Sequence, residues 1–261
     1  MSLERSPGWP LGHDDQRLLA AAEVLASTIE SQVETATRPE DGVIADAVLI
    51  GAFHVARAAR CMRATIALSR AGYAVESAAV VRTLLEDAAS LRYLSLKPGP
   101  RAHKWLRFDE TRSLEYWRLS EQLELGIPKS ERIEKLEERG ARGNPVWWSG
   151  KSPSVMAREA RSGDEDLSRT FRALYPWLSD VAHANVKTTV NYYFTDADGS
   201  PVLRVGPSDH LVSLMVTVMA DLAIKVCEIA QDLGARTDLA EIKKAHAAVT
   251  NVTPPGPAPL E

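Results

Sequence analysis

Two charged side chains, Arg82 and Glu86, interrupt an otherwise apolar stripe of a helix-forming segment. The stripe runs from Val75 to Tyr93 at helical spacing. A separation of four residues places the two charges on one helix face, where they can form an ion pair. Because an unpaired buried charge is costly, we expect each side chain to neutralise the other. The pattern fits a structural salt bridge, and it also fits polar groups that face a ligand.

His183 and Ser179 form a second polar pair, one helical turn apart at the edge of an apolar helix face. A histidine at such a position can act as a general base, contact an anion or pack as a core residue. Asp180 precedes His183 by three residues, a spacing found in carboxylate-bridged metal sites of helical bundles. Those sites need further Glu and His ligands from other helices, and the sequence offers no second pair. We therefore predict neither a metal nor another cofactor.

A loop over residues 144–153 concentrates the aromatic residues Trp147 and Trp148 together with Lys151. Loops that contain large aromatic side chains usually fold back over a core or cover a cleft. The loop is therefore expected to be either an apolar plug or a lid over a polar pocket. The candidate ligand-binding residues are Arg82, Glu86, Ser179, His183, Trp148 and Lys151.

Helical periodicity predicts the elements that position these side chains. The predicted helices cover residues 14–35, 43–70, 73–96, 101–125, 130–139, 165–187, 208–233 and 238–249. Alternating apolar residues around Phe194 and Val202, with a turn at residues 198–199, predict one hairpin. The predicted fold class is all-α, a multi-helix bundle with one small β-hairpin appendage. We expect one domain over residues 1–249 and a disordered Pro-rich tail over residues 250–261.

Composition narrows the class of protein further. The chain has 261 residues, of which 45% are apolar and 25% charged, values typical of a globular domain. Its two cysteines, Cys61 and Cys227, do not suggest a disulfide framework, which favours a cytoplasmic location. The most apolar window, residues 211–230, is interrupted by three charged residues, so no membrane span is expected. These features indicate a bacterial-type cytoplasmic protein.

Positive charge is concentrated in one part of the chain. Residues 55–118 contain twelve Arg or Lys and six Asp or Glu, although the net charge of the chain is −4. Arg60, Arg63 and Arg70 project from roughly one side of the second predicted helix. This basic face is either solvated or contacts the phosphates of RNA or of an acidic ligand.

Three stretches of the sequence resemble a bacterial family of helical bundles of unknown function. Those stretches are residues 72–93, 148–151 and 175–183. The family is similar in turn to abortive-infection proteins and, more remotely, to HEPN domains, which include metal-independent ribonucleases. The resemblance implies a helical fold in which Arg82, Glu86, Ser179 and His183 form one polar cluster.

Two functions remain open at this point. The preferred interpretation is a helical bundle that binds a small anionic ligand or a protein partner through a polar cleft, with homodimer formation as a further expectation. The alternative is a HEPN-like, metal-independent ribonuclease in phage defence, in which Arg82 and His183 contact the scissile phosphate of RNA. The residues leave open whether the protein is an enzyme.

Overall fold

The structure is a computed structural model that describes residues 11–36, 45–139, 148–183, 193–195, 201–203, 209 and 211–252. Its helices are α1 (His13–Ala36), α2 (Ala45–Arg70), α3 (Ala78–Ser95), α4 (Pro98–Gln122), α5 (Glu131–Glu138), α6 (Pro153–Glu159), α7 (Glu165–Ala182), α8 (Val212–Asp232) and α9 (Leu239–Val252). A 3-10 turn at Ala160–Ser162 joins α6 to α7. Two short strands are β1 (Tyr193–Thr195) and β2 (Pro201–Leu203). The described residues are therefore almost entirely helical, which confirms the predicted all-α bundle.

Helix α8 lies at the centre of the hydrophobic core. Its buried residues recur from Val212 to Ala230 on more than one face, so the helix packs against several neighbours. Helices α2 and α3 pack directly on α8, and α1 and α9 pack on the same group. Helix α3 also contacts α6 and α7. The core therefore holds α3 in place between α8 and the two helices that form the candidate site.

Helix α3 begins at Ala78, five residues later than the sequence predicts. Gly72 adopts a positive φ of 82°, a conformation that favours glycine and ends the preceding helical segment. The chain then continues as turns, in which the Ser77 hydroxyl donates to the Ala74 carbonyl at 2.6 Å. Ala74 and Val75 are buried although they are not helical, so their apolar character extended the predicted helix too far.

Helix α6 is an element that the periodicity did not predict. Its first residue is Pro153, which suits the first turn of a helix because proline has no N–H to leave unpaired. Helix α7 follows and contains Pro176. The helix is predicted to extend to residue 187, and its last part, residues 184–187, lies outside the described residues.

Helices α4 and α5 form a separate hairpin beside the main core. Their own small cluster contains Leu114, Ile133 and Leu136, with Trp117 packed against it. Helix α4 contacts α2 and α3, and in the part of the chain that the structure describes α5 contacts α4 alone. This hairpin therefore does not position α6 or α7.

The remaining predicted features concern the strands and the chain end. Strands β1 and β2 pair antiparallel, with Phe194 opposite Val202, and the turn predicted at residues 198–199 lies outside the described residues. Helix α9 continues to Val252, three residues past its predicted end. Residues 253–261, which make up most of the predicted tail, lie outside the described part. Among the described helices, none has both the length and the apolar character needed to cross a membrane.

Candidate functional site

Helices α3 and α7 bring together four polar side chains, which we call the Arg82 network: Arg82, Glu86, Tyr175 and His183. Arg82 Nε donates to Glu86 Oε1 at 3.0 Å, and Arg82 Nη2 donates to the Tyr175 hydroxyl at 3.1 Å. Arg82 Nη1 lies 2.9 Å from His183 Nε2. The Tyr175 hydroxyl in turn donates to Glu86 Oε1 at 3.0 Å. The predicted ion pair between Arg82 and Glu86 is therefore confirmed, and it is part of a larger set of contacts between two helices.

The end of α7 determines where His183 lies. Helix α7 ends at Ala182, and the backbone N–H of His183 donates to the Ser179 carbonyl at 3.0 Å. His183 is consequently exposed at the helix end rather than packed in the core. Ser179, which the sequence groups with His183, supports the helix end through its main chain.

The donors of arginine determine the direction of its hydrogen bond with His183. A guanidinium has five N–H donors and no acceptor, so His183 must accept the hydrogen bond through Nε2. Three of the five Arg82 N–H groups contact Glu86, Tyr175 and His183, which leaves two for water or a ligand.

The contacts within the network shift the pKa values of Arg82 and Tyr175. Burial acts to lower the pKa of the Arg82 guanidinium, but the hydrogen bond to Tyr175 and the charge of Glu86 outweigh it, so the pKa is raised. Burial also raises the pKa of the Tyr175 phenol, and Glu86 raises it further while Arg82 acts in the opposite direction. The side chains of Arg82 and Glu86 are only 21% and 19% exposed. The network is therefore a half-buried ion pair in which tyrosine stays protonated.

Tyr175 also connects the network to a pocket. Its ring stacks on Phe171 with the ring centroids 4.5 Å apart and the planes at 15°. Both residues line a cavity of about 370 Å³ between α6 and α7, which we call the α6–α7 pocket. The interior of this pocket is mostly apolar, because Ala157 and Phe171 are buried there and Pro176 forms part of the wall.

The rim of the α6–α7 pocket is basic. Three exposed arginines, Arg158, Arg161 and Arg172, line it, and none of its lining residues is Asp or Glu. Arg161 contacts Glu165 at 3.0 Å, in a pair whose side chains are both 58% exposed. Within the described part of the chain, no carboxylate forms an ion pair with Arg158 or Arg172. Among the described residues, the rim therefore has one ion pair, Arg161 with Glu165, while the charge of Arg158 acts on the Glu159 carboxylate without forming an ion pair with it.

Trp148 and Lys151, which the sequence analysis offers as cleft residues, make their described contacts outside the Arg82 network. Trp148 is 6% exposed, and its indole N–H donates to the Ser90 hydroxyl at 2.8 Å. Lys151 Nζ contacts the Glu159 carboxylate and lies 5.4 Å from the centre of the Tyr93 ring. The reason is that a buried indole needs an acceptor for its N–H, and Ser90 provides one further along α3. The apolar plug is therefore the better description of Trp148, and Trp147 lies outside the described residues.

The basic face predicted on α2 is largely neutralised by α1. Arg63 donates to Glu30 at 2.7 Å, and Arg70 contacts Glu23. These are exposed pairs, and they occupy two of the three arginines that the sequence suggests for phosphate contact. In the described ranges, no group of three or more His, Cys, Asp or Glu is placed to hold a metal ion.

The rim arginines, which the sequence analysis did not single out, lie on α6, on the 3-10 turn after it and on α7. Arg172 and Tyr175 are three residues apart on α7, so they lie on one helix face. Arg161 follows Arg158 by three residues but lies in the 3-10 turn. The start signal Ser152-Pro153 would have indicated α6 and so given Arg158 a helical position. No pattern in the sequence shows that the two helices enclose a pocket, because that depends on how both pack against α3.

The fold and the site define a helical-bundle protein with a half-buried ionic network beside an arginine-rimmed pocket. The chain belongs to the DUF5677 family, a family of unknown function, whose family model matches residues 46–201. The match extends from α2 to β2, so it includes every helix that contributes to the Arg82 network and the α6–α7 pocket. No curated protein and no solved structure matches the chain.

Proposed function

We propose that the protein binds a small anionic ligand in the α6–α7 pocket. The observation that carries this proposal is the charge of the rim, where Arg158, Arg161 and Arg172 surround an apolar interior without a carboxylate among the lining residues. Ligand pockets commonly combine an apolar wall with a few charged groups that fix orientation. Guanidinium groups bind carboxylates and phosphates with paired hydrogen bonds.

The Arg82 network supports the pocket wall rather than supplying the anion site. Arg82 already faces the Glu86 carboxylate at 3.0 Å, so an incoming anion would meet a guanidinium whose charge is compensated. Tyr175 is held by both residues of that pair and lines the pocket with its neighbour Phe171. The network therefore fixes the position of one wall, and the rim arginines attract the ligand.

The test compares thermal unfolding in sulfate, phosphate and benzoate with unfolding in chloride at equal, low ionic strength. A ligand that binds only the folded protein raises the unfolding temperature. We expect at least one anion to raise it for the wild type, and the rise to vanish in the double variant Arg158→Gln/Arg172→Gln. Arg169→Gln is the matched control, because Arg169 lies on α7, is 69% exposed and does not line the pocket. Equal shifts in the double variant and the wild type would reject the proposal, since they reflect a general salt effect.

A metal-independent ribonuclease is the second candidate function, and the contact between Arg82 and His183 favours it. An arginine and an exposed histidine 2.9 Å apart can bind a phosphate and exchange a proton with it. Glu86 opposes this function because it compensates the charge of Arg82, and α1 carboxylates compensate the predicted RNA-binding face. At the pocket rim only Arg161 has an ion-pair partner among the described residues, and Arg158 and Arg172 have none, so we rank ligand binding first.

The ribonuclease candidate is tested by incubating a mixed RNA panel with wild type and with His183→Ala at low and physiological salt. Because His183 is exposed at a helix end, the variant should fold with a loss of about 1 kcal/mol or less. RNA cleavage that is lost in this folded variant would establish the ribonuclease. Wild-type protein that cleaves no RNA would remove it and would leave ligand binding unaffected.

A further inference from the structure

The α6–α7 pocket also restricts the chemical class of its ligand, and this inference rests on the proposed function. Its rim and its interior select different properties of the ligand. The rim arginines determine the charge that the ligand must carry, and the apolar interior determines the shape and polarity of the rest of the molecule.

The rim is better matched by a dianion than by a single carboxylate. Among the described residues, Arg158 and Arg172 form no ion pair, and Arg161 pairs with the exposed Glu165. Glu159, which acts on Arg158 through space, is itself paired with Lys151. One carboxylate would compensate one guanidinium and leave the second unmatched. A phosphate monoester carries a charge of about −1.5 to −2 near neutral pH and offers three terminal oxygens. Two planar guanidinium groups can each bind two of its oxygens.

The interior is matched by a compact apolar group. Ala157 and Phe171 line the pocket and are also packed in the main hydrophobic core, with 3% and 2% exposure, so the innermost wall of the pocket is apolar. The volume of about 370 Å³ lies near the lower end of the range typical of small-molecule pockets, roughly 300–1,000 Å³. Such a volume accepts one ring system or a short chain, and it cannot enclose a polymer.

We infer that the α6–α7 pocket binds a phosphate monoester whose organic group is compact and apolar, such as an aryl phosphate. The phosphate lies at the rim and contacts Arg158 and Arg172. The organic group enters the pocket and packs against Phe171 and Tyr175. Neither part alone fills both the charged and the apolar halves of the site.

The experiment measures binding by titration calorimetry with four probes that separate these contributions. The probes are 1-naphthyl phosphate, 1-naphthoate, 1-naphthol and inorganic phosphate. We expect 1-naphthyl phosphate to bind at least about 10-fold more tightly than each of the other three, because it alone combines a dianion with a buried apolar ring.

The pH of the titration tests the dianion directly. The second ionisation of a phosphate monoester falls at about pH 6, so the probe is mostly a monoanion at about pH 5 and mostly a dianion at about pH 7.5. Binding of 1-naphthyl phosphate should weaken several-fold at the lower pH. Binding of 1-naphthoate, which is ionised at both, should change much less.

Substitutions on α6 and α7 identify the site. Arg172→Gln should weaken binding of 1-naphthyl phosphate by about 10-fold or more, through the loss of charge-assisted hydrogen bonds, and Arg158→Gln should do the same independently. Neither change should alter the weak binding of 1-naphthol. Arg169→Gln, one turn away on the exposed side of α7, should leave binding within about twofold of wild type.

Two kinds of failure are distinguishable. If 1-naphthoate or inorganic phosphate binds as tightly as 1-naphthyl phosphate, and Arg172→Gln weakens that binding, the ligand class is wrong while anion binding in the pocket stands. If no anionic probe binds, or if Arg172→Gln and Arg158→Gln leave binding unchanged, both the ligand class and the proposed function are wrong.

Discussion

Arg82 and Arg172 lie on packed helices, α3 and α7, but their charges are in opposite situations. Arg82 is 21% exposed and contacts a carboxylate, a hydroxyl and an imidazole from the same chain. Arg172 is exposed at the rim of a pocket, and the described residues provide no carboxylate for it. A guanidinium whose partners belong to the chain stabilises the fold. One that has no such partner beside an apolar pocket is available to a ligand. Changes in the Arg82 network should therefore lower mainly the stability of the fold, whereas substitution of Arg172 should weaken mainly ligand binding.

The largest effect on stability is expected from Glu86→Ala. This change removes the carboxylate from a half-buried guanidinium and takes away the acceptor of the Tyr175 hydroxyl. We expect the free energy of unfolding to fall by about 2–4 kcal/mol, because the remaining charge is left partly desolvated. Chemical denaturation of wild type and variant measures this difference.

Two further variants test whether the unpaired, half-buried charge is the cause of this loss. Arg82→Met/Glu86→Leu removes both charges and should cost less than Glu86→Ala alone, because no charge is left without its partner. Glu159→Ala breaks the exposed pair with Lys151 and should also cost less. If Glu86→Ala is no more destabilising than Glu159→Ala, the Arg82 network does not hold α3 to α7.

A smaller loss is expected from Tyr175→Phe. The phenol accepts from Arg82 and donates to Glu86, so its removal deletes two hydrogen bonds while the ring can still stack on Phe171. We expect a loss of about 1–2 kcal/mol in the free energy of unfolding. An unchanged stability would mean that water replaces the hydroxyl without cost, and that the link between network and pocket is weak.

The same variant should change how the free energy of unfolding depends on pH in the alkaline range. The pKa of Tyr175 is raised in the folded protein, so as pH rises above the ordinary value of 10.0 the unfolded chain loses this proton first. Stability from Tyr175 is thus present below that value and is lost as pH rises through the folded pKa. Wild type should lose stability more steeply above pH 10 than Tyr175→Phe. Cys227, whose pKa burial raises to about 12, adds the same slope to both proteins and cancels in the comparison. Parallel curves would contradict the prediction.

The smallest effect on stability is expected from Arg172→Gln. The side chain is exposed and has no carboxylate partner in the described chain, so its loss should change the free energy of unfolding by no more than about 0.5 kcal/mol. Arg169→Gln is the control, because it removes a similarly exposed charge from α7. A large loss in Arg172→Gln alone would show that Arg172 serves the fold rather than a ligand.

The residues show which parts of this site a sequence can predict. The four-residue spacing predicted the Arg82–Glu86 pair correctly, because that contact lies within one helix turn and needs no tertiary information. Tyr175 escaped notice as a partner because it lies 93 positions from Arg82 and meets it only when α3 packs on α7. The helical periodicity likewise predicted most of the bundle.

The pocket and the position of Trp148 were not predictable from the sequence, for a common reason. Helix α6 has only seven residues, too few for a clear periodic pattern, so one wall of the pocket was not foreseen. The sequence left open whether the loop around Trp148 is an apolar plug or a lid, and the position of Trp148 depends on one acceptor, Ser90, in another element. Contacts between distant segments decide both features, and neither composition nor spacing reports them.

The most direct measurement is a crystal structure of the protein soaked with phenyl phosphate. We expect density for the phosphate at the rim of the α6–α7 pocket, with its oxygens about 2.7–2.9 Å from the guanidinium nitrogens of Arg158 and Arg172. The phenyl ring should lie against Phe171. The Arg82–Glu86 pair should be unchanged. Phosphate density at Arg82 and His183, with Glu86 displaced, or an empty α6–α7 pocket at saturating ligand would contradict it.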